Sequence, residues 1–241
     1  MKRIISRLSL TSGLLVGSLA LSFAPAYAVT RPAAASANAN STTRLQRIIS
    51  RGDKEIERRL KTLNRLSSKV PSGSKLSDAD KSNLTAAVQA EITDLTNLKT
   101  KLDADTDVNT AASDALSIIT EYRVYALIVP KIQLVRAADA QQVAEAKLTV
   151  LAGKLQTSLS TAQSKGQDIS TEQALLTDMN AKIAAAQAIS SQVGSTVLGF
   201  QPNDRNSNPS LLSGYRDQLQ TAQADIRVAS NDAQSIINFL K

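Results

Sequence analysis

The sequence predicts an all-α protein, an elongated antiparallel bundle of five to six long helices with coiled-coil-like packing. From residue 42 onwards, apolar side chains recur every three or four residues in almost every segment, which is the spacing of one helix face. Glycine and proline fall mainly between these segments, where they end helices. The last segment, residues 210–240, alternates steps of three and four over about four heptads, which is the seam of a coiled coil.

Residues 1–28 have the three parts of a secretory signal peptide. An uncharged, mostly apolar stretch spans residues 8–23, and Ala26-Tyr27-Ala28 is a cleavage signature of small residues. We expect cleavage there, and the alternative is an uncleaved membrane anchor. No later segment is predicted to span a bilayer, because even the most apolar one, residues 116–135, contains charges near its centre. The basic residues that precede the apolar stretch are Lys2, Arg3 and Arg7.

The N-terminal part of the predicted mature chain starts with a leader and continues as a helical hairpin. Residues 29–41 are small and polar without apolar periodicity, so we expect a flexible leader. The hairpin covers residues 42–102, with a turn at Pro71-Ser72-Gly73-Ser74 and Ser77 as the N-cap of its second helix. Gly52 is a weak point of the first helix, since glycine costs roughly 1 kcal/mol relative to alanine.

A central helix is predicted over residues 107–129. Apolar side chains cover every face of this segment, and such a helix normally lies inside a bundle. Pro130 has no N–H and leaves the carbonyl of Ala126 without its helical donor, so it should kink or end the helix. The many β-branched residues at 124–135 leave a short strand as the alternative.

The C-terminal half predicts a second hairpin over residues 131–193, a linker over residues 194–209 and a C-terminal helix over residues 210–240. The linker is the longest non-periodic stretch and contains two prolines and two glycines. Asn208 as N-cap and Pro209 as the first helical residue are expected to start the last helix.

Positive charge is concentrated near the start of the predicted mature chain. The whole chain has 28 basic and 21 acidic residues, and the signal holds three of the bases and no acid, which leaves +4. This is not the balance of a dedicated nucleic-acid binder. The basic first helix instead favours a protein or an anionic cell-surface polymer as partner. The alternative is a solvated face that offsets neighbouring acidic helices. The candidate interaction surface comprises Arg44, Arg47, Arg51, Arg58, Lys61 and Arg65.

An acidic loop follows the first hairpin. Asp103, Asp105 and Asp107 alternate, and Asp114 falls at the twelfth position of a calcium-binding loop, where its last ligand stands. Val108 occupies the position at which such a loop needs glycine, and the last ligand is normally the longer glutamate. Calcium is therefore a possible cofactor, and the alternative is a connecting loop whose last aspartate caps the next helix.

Tyr122, Arg123 and Tyr125, shortly before Pro130, have side chains that often bind ligands, because aromatic and arginine side chains dominate binding hot spots. A helix that is apolar all round favours another use, in which buried tyrosine hydroxyls form hydrogen bonds across the core. We therefore interpret these four residues as structural.

The sequence contains few of the residues and motifs that form enzyme active sites. The chain has no Cys and no His, which excludes a thiolate nucleophile and a Ser-His-Asp triad. Serine–lysine pairs such as Ser68-Lys69 lie at predicted helix ends, where exposure keeps lysine charged and unsuitable as a base. No glycine-rich phosphate loop occurs either. We predict a non-catalytic protein.

The stretch 103–139 carries the motif Tyr122-Arg123-Val124-Tyr125-Ala126-Leu127, which is followed by Pro130. It resembles a group of exported, all-helical bacterial proteins of unknown function from Saccharibacteria-type and actinobacterial lineages. Residues 52–60 and 212–225 are also similar to that group. The resemblance implies export and a helical fold, and it supplies neither an activity nor catalytic residues.

These observations predict a secreted protein, or one held in the periplasm or cell envelope, with an interaction or structural role. The alternative is an amphipathic-helix protein that binds lipid or membrane surfaces and whose hairpins open on contact. A second alternative is a calcium-dependent surface protein, which depends on the acidic loop alone.

Overall fold

The computed structural model describes residues 33–241, which are 86% helical and include no strand. The predicted all-α bundle is therefore confirmed, and the alternative of a strand at 124–135 is wrong. The predicted signal peptide lies outside the described residues. The α-helices are α1 (Ala33–Lys69), α2 (Asp78–Asp103), α3 (Val108–Thr120), α4 (Val129–Ser164), α5 (Ser170–Gly199), α6 (Pro202–Ser207) and α7 (Ser213–Phe239), and a π-helix covers Val124–Ile128.

The long helices form two three-helix units. Helices α1, α2 and α3 pack against one another, and α4, α5 and α7 pack against one another, with the tightest pairing between α5 and α7. The first core is built around Ile56, Leu95 and Ile118 and extends into the start of α4. The second core lies around Met179 and Ile236. Within the described residues, no helix combines the length and the apolarity needed to cross a membrane.

The predicted caps and turns define the two hairpins. The Ser77 hydroxyl accepts a hydrogen bond from the Asp80 N–H at 3.1 Å, which is the expected N-cap of α2. The turn between α4 and α5 is closed by Gly166, whose φ of 85° is favourable only for glycine. Helix α1 starts earlier than predicted, at Ala33, so residues 33–41 are helical and not a flexible leader. Residues 33–41 have no apolar stripe, but they are rich in alanine, which has the highest helix propensity.

The predicted central helix 107–129 is wrong in its continuity and in its position. The helix ends at Thr120, and the π-helix begins after Arg123, whose φ of 39° is left-handed. Pro130 therefore lies in the first turn of α4, where a missing N–H is tolerated. Helix α3 lies against α1 and α2 and keeps one apolar face in solvent, since Leu116 is 58% exposed.

The predicted linker 194–209 is also mostly helical. Helix α5 continues to Gly199, and α6 follows at once. Gly194 does not break α5 and is buried against α4, where an added Cβ would lie in ordinary contact, 3.6 Å from the Cβ of Ala138. Asn208 does not cap α7, which begins at Ser213. Its side chain instead accepts a hydrogen bond from the Ser210 N–H at 3.0 Å and forms a turn before the helix.

Gly52 permits the close approach of three helices in the first unit. A Cβ at this position would overlap a methyl group of Leu102 in α2 and lie 3.5 Å from Ile118 in α3. Leu102 is fully buried, so it has little room to move aside. The glycine that weakens α1 as an isolated helix is therefore required by the packing.

We expect Gly52→Ala to lower the free energy of unfolding by about 1–2 kcal/mol, because overpacking outweighs the gain in helix propensity. Gly153→Ala is the matched control, since this exposed glycine of α4 has no neighbour within 4 Å of the added Cβ. The control should gain about 0.5–1 kcal/mol. Urea unfolding measures both, and a stabilised Gly52→Ala protein would contradict the packing argument.

A polar layer separates the two cores where α4, α5 and α7 meet. Glu145 is 1% exposed, and one of its carboxyl oxygens accepts a hydrogen bond from the Ser190 hydroxyl at 3.0 Å. Gln141 donates to the carbonyl of Leu219 at 2.8 Å. The second carboxyl oxygen of Glu145 and the amide oxygen of Gln141 have no partner among the described residues. Burial raises the pKa of Glu145, and the Ser190 hydrogen bond opposes this shift.

We expect Glu145→Gln to flatten the pH dependence of stability. The pKa of Glu145 is higher in the folded state than its unperturbed 4.5, so the folded protein loses stability as pH rises through ionisation of this group. The variant should exceed the wild type by about 1–3 kcal/mol near neutral to alkaline pH and approach it in acid. Urea unfolding across pH measures this. Glu57→Gln, at an exposed carboxyl, is the control that keeps the wild-type slope.

Candidate interaction surface

The outward face of α1 carries a line of seven exposed basic side chains, which we call the basic ridge. Its members follow one another in steps of three and four, so they share one helix face over about 32 Å. The opposite face contains Ile56 and Leu63, which are fully buried. The structure thus brings together all six residues of the sequence-predicted surface, and the same spacing adds Lys54. The basic ridge consists of Arg44, Arg47, Arg51, Lys54, Arg58, Lys61 and Arg65.

Little of the charge on the basic ridge is neutralised within the chain. Arg58 pairs with Glu55 at 2.9 Å, while Glu55 also pairs with the buried Arg59 at 2.6 Å. The other six ridge residues form no ion pair with any described residue. Residues 1–39 contain no Asp or Glu, so they have no carboxylate side chain to offer. Glu55 and Glu57 lie beside these cations, so the ridge presents a net excess of positive charge to the solvent.

An apolar face of α3 borders the basic ridge. Leu116 is 58% exposed and Ile119 is 49% exposed, and they lie one helical turn apart. A groove of about 300 Å³ runs between α1 and α3, with Arg51 and Ile48 on one side and Ile119 on the other. Cationic and apolar side chains therefore meet at the same groove.

Two of the four candidate calcium ligands, Asp103 and Asp114, lie in separate ion pairs. Lys99 contacts Asp103 at 3.1 Å, and it also contacts Asp53 of α1 at 2.8 Å. Lys101 contacts the nearly buried Asp114 at 2.8 Å. These lysines connect α2 to α1 and to α3.

Asp107 caps α3, as the alternative reading of the loop predicted. One of its oxygens accepts hydrogen bonds from the N–H groups of Asn109 and Thr110, both at 2.9 Å. These bonds, with that from the Thr110 N–H the strongest, lower the pKa of Asp107. Burial and then the nearby Asp114 raise the pKa of Asp105. Among the described residues, no three acidic side chains are placed together to hold a metal ion, so the four proposed calcium ligands are not brought into one cluster.

The two tyrosines of the motif connect neighbouring helices. The Tyr122 hydroxyl donates to the carbonyl of Asp94 in α2 at 3.3 Å, and the Tyr125 hydroxyl donates to the carbonyl of Arg58 in α1 at 3.1 Å. The Arg59 guanidinium lies 5.3 Å from the centre of the Tyr125 ring, which is a cation–π contact. Tyr125 remains 44% exposed, so these contacts lie at the bundle surface and not across the core.

Arg123 is held in its left-handed conformation by α6. Its Nε donates to the side-chain oxygen of Asn206 at 2.6 Å, and the Asn206 amide donates to the carbonyl of Thr120 at 2.8 Å. The Thr120 carbonyl at the end of α3 has no hydrogen-bond donor from the helix backbone, and the Asn206 amide supplies one. Sequence reasoning missed this residue because it falls in the presumed linker.

Two further contacts hold residues 200–206 against the break between α3 and α4, which we call the joint. Arg205 donates to the carbonyl of Ala126 at 3.3 Å, which is the carbonyl that Pro130 was expected to free. The ammonium of the buried Lys131 donates to the carbonyl of Phe200 at 3.0 Å. Residues 200–206 therefore close the break between α3 and α4.

A carboxyl group near this joint titrates close to neutrality. Burial and then Asp94 raise the pKa of Glu91 to about 7, whereas Lys131 opposes the shift. Burial in turn lowers the pKa of Lys131, and the charges of Glu91 and Asp204 act in the other direction. The joint therefore contains a weakly solvated acid–base pair.

Comparisons of the chain with protein-family models, with curated proteins and with solved structures find no match. The resemblance to exported helical proteins therefore stays a prediction. The function has to be argued from the surfaces and contacts described above.

We expect Asp107→Ala to lower the free energy of unfolding by about 1 kcal/mol, equally with and without calcium, because it removes the N-cap of α3. Asp107→Asn is the control that keeps a capping oxygen and should retain most of the stability. Thermal unfolding in calcium and in a chelator measures both variants. A loss confined to the calcium-containing samples would support the metal site instead.

Proposed function

We propose that this protein is an exported, non-catalytic bundle that docks on an anionic cell-envelope surface through the basic ridge of α1. The observation that carries the proposal is the line of seven exposed cations on one helix face, six of which form no ion pair with any described residue. A solvated face that served only to balance acidic neighbours would pair its cations with those acids. Among the ridge residues, Arg58 forms such a pair with Glu55. By contrast, Glu57 lines the same surface as Lys54 and Lys61 and pairs with neither.

The geometry of the ridge suits an extended anionic partner. Its charges are spread along about 32 Å of one helix and not gathered around a closed pocket. Repeated anionic groups on an envelope polymer or on lipid headgroups can pair with several of these cations at once. Exposed ion pairs are individually weak, typically up to about 1 kcal/mol, so binding depends on the number that form together. Such binding is sensitive to salt.

Export is supported by the features of residues 1–28 and by the resemblance stated above. The non-catalytic role is supported by the absence of Cys and His from the sequence. An exported protein of this kind meets the anionic surface of its own producer or of a neighbouring cell. Retention on either surface would follow from the ridge.

We expect the chain from residue 29 to residue 241 to sediment with bacterial cells at low salt and to be released at high salt. Replacing Arg47, Lys54 and Lys61 with glutamate should weaken binding at least tenfold, because three attractive contacts become repulsive. The measurement is cosedimentation with cells of the producer and of a neighbouring species, over a salt series.

The matched control replaces Lys147, Lys154 and Arg227 with glutamate. These exposed residues lie on α4 and α7 in the second unit, and their replacement changes the net charge by the same amount. The control should bind like the wild type. Equal losses in both triple variants would mean that net charge and not the ridge governs binding, and binding that resists salt would point to a specific receptor.

A further inference from the structure

We infer that the anionic surface is a lipid membrane, on which the basic ridge pairs with phosphate headgroups while Leu116 and Ile119 of α3 enter the interface. This inference rests on the proposed function and adds its ligand class. The juxtaposition that carries it is at the groove between α1 and α3, where Ile119 of the exposed apolar face of α3 and Arg51 of the basic ridge lie together.

The exposed side chains of α3 form one apolar face and are not scattered. Leu116 and Ile119 are among the most exposed large hydrophobic residues of the described chain, and they are neighbours on the helix. Single exposed hydrophobic residues are ordinary on protein surfaces, whereas adjacent ones that border a functional feature indicate a contact site. Ala112, which is also exposed, extends the same face.

The apolar face and the ridge meet without an intervening element. Arg51 of the ridge and Ile119 of α3 line the same groove, together with Ile48 and Ala115. Glu55 also lines the groove, but its carboxylate is occupied by Arg58 and Arg59. A surface that approaches this side of the bundle therefore meets cations and apolar side chains at once.

Helix α3 can enter a headgroup region at little electrostatic cost. Asp114 is the only charged residue within the helix, and its side chain is nearly buried and paired with Lys101, while the exposed Asp107 and Glu121 lie only at the two ends of α3. The remaining polar side chains of the helix are small hydroxyls and one amide. A carbohydrate or phosphate polymer would use the cations and leave the apolar face exposed, whereas an anionic bilayer uses both.

The bundle remains closed in this arrangement. Ile56 and Leu63 of α1 and Ile118 of α3 are fully or almost fully buried, and the lipid-facing side chains are already outside the core. Docking therefore needs no opening of the hairpins. This separates the inference from a binder that unfolds its hairpins onto the membrane.

The test uses the absence of tryptophan from the chain, which makes a single introduced tryptophan an unambiguous reporter. Leu116→Trp should shift its fluorescence emission to shorter wavelength with vesicles of phosphatidylglycerol and phosphatidylcholine. It should show no shift with phosphatidylcholine alone. Val150→Trp, at a site on α4 that is 62% exposed, is the control and should show no shift with either vesicle.

A second pair of variants separates insertion from charge. Replacing Leu116 and Ile119 with serine should lower cosedimentation with the anionic vesicles several-fold and leave binding to the soluble polyanion dextran sulfate unchanged. Replacing Val143 and Val150, two exposed valines of α4, with serine is the matched control and should change neither. Circular dichroism in the presence of vesicles should keep its aromatic signal, since the bundle stays closed.

The outcomes distinguish the inference from the proposed function. Salt-sensitive binding to dextran sulfate without any Leu116→Trp shift would overturn the lipid assignment and leave the proposed docking on an anionic polymer. Failure to bind vesicles, dextran sulfate or cells would overturn both. Loss of the aromatic circular dichroism signal on vesicles would contradict docking as a closed bundle and would show that the hairpins open on the membrane.

Discussion

The architecture depends on how the backbone hydrogen-bonding groups between the end of α3 and the start of α4 find partners. Ending one helix and starting another leaves carbonyls and N–H groups without helical partners, and such groups are costly when buried. Asn206 donates a hydrogen bond to the carbonyl of Thr120, and Arg205 donates one to the carbonyl of Ala126. With these contacts the chain can turn at Arg123 and start a second three-helix unit. Without them, the continuous helix of the sequence prediction would have placed α3 in the core.

The same break explains why the surfaces of the first unit are available for binding. Helix α3 is only 13 residues long and covers part of α1, so its own outer face stays in solvent. Helix α1 is 37 residues long, and α2 and α3 pack on its apolar side and leave the other side free. A longer, central α3 would have buried Leu116 and Ile119. The juxtaposition of apolar and cationic faces is thus a product of the fold.

Local signals in the sequence were sufficient for the helix ends that are stabilised locally. Ser77 and Asp107 cap α2 and α3 through hydrogen bonds to their own chain neighbours, so their residue types predict them. The break at Arg123 could not be predicted, because a left-handed arginine is stabilised by distant Asn206 and by no local motif. Gly194 indicated a linker, yet it lies buried inside α5, because one glycine costs a helix only about 1 kcal/mol and packing against α4 offsets that cost. The ridge was readable from spacing, whereas exposure of α3 was not.

The spacing of the basic ridge has a consequence for the thermodynamics of docking. Two unit charges in water interact with thermal energy at a separation of about 7 Å, and the helical rise spaces the backbone positions of neighbouring ridge residues about 5 Å apart along the axis. Like charges this near repel, so the free ridge gathers small anions from the medium. Binding to a fixed array of negative charges returns these counterions to bulk solution, and their gain in entropy drives association. Attachment of this kind is reversible and follows the ionic strength of the surroundings.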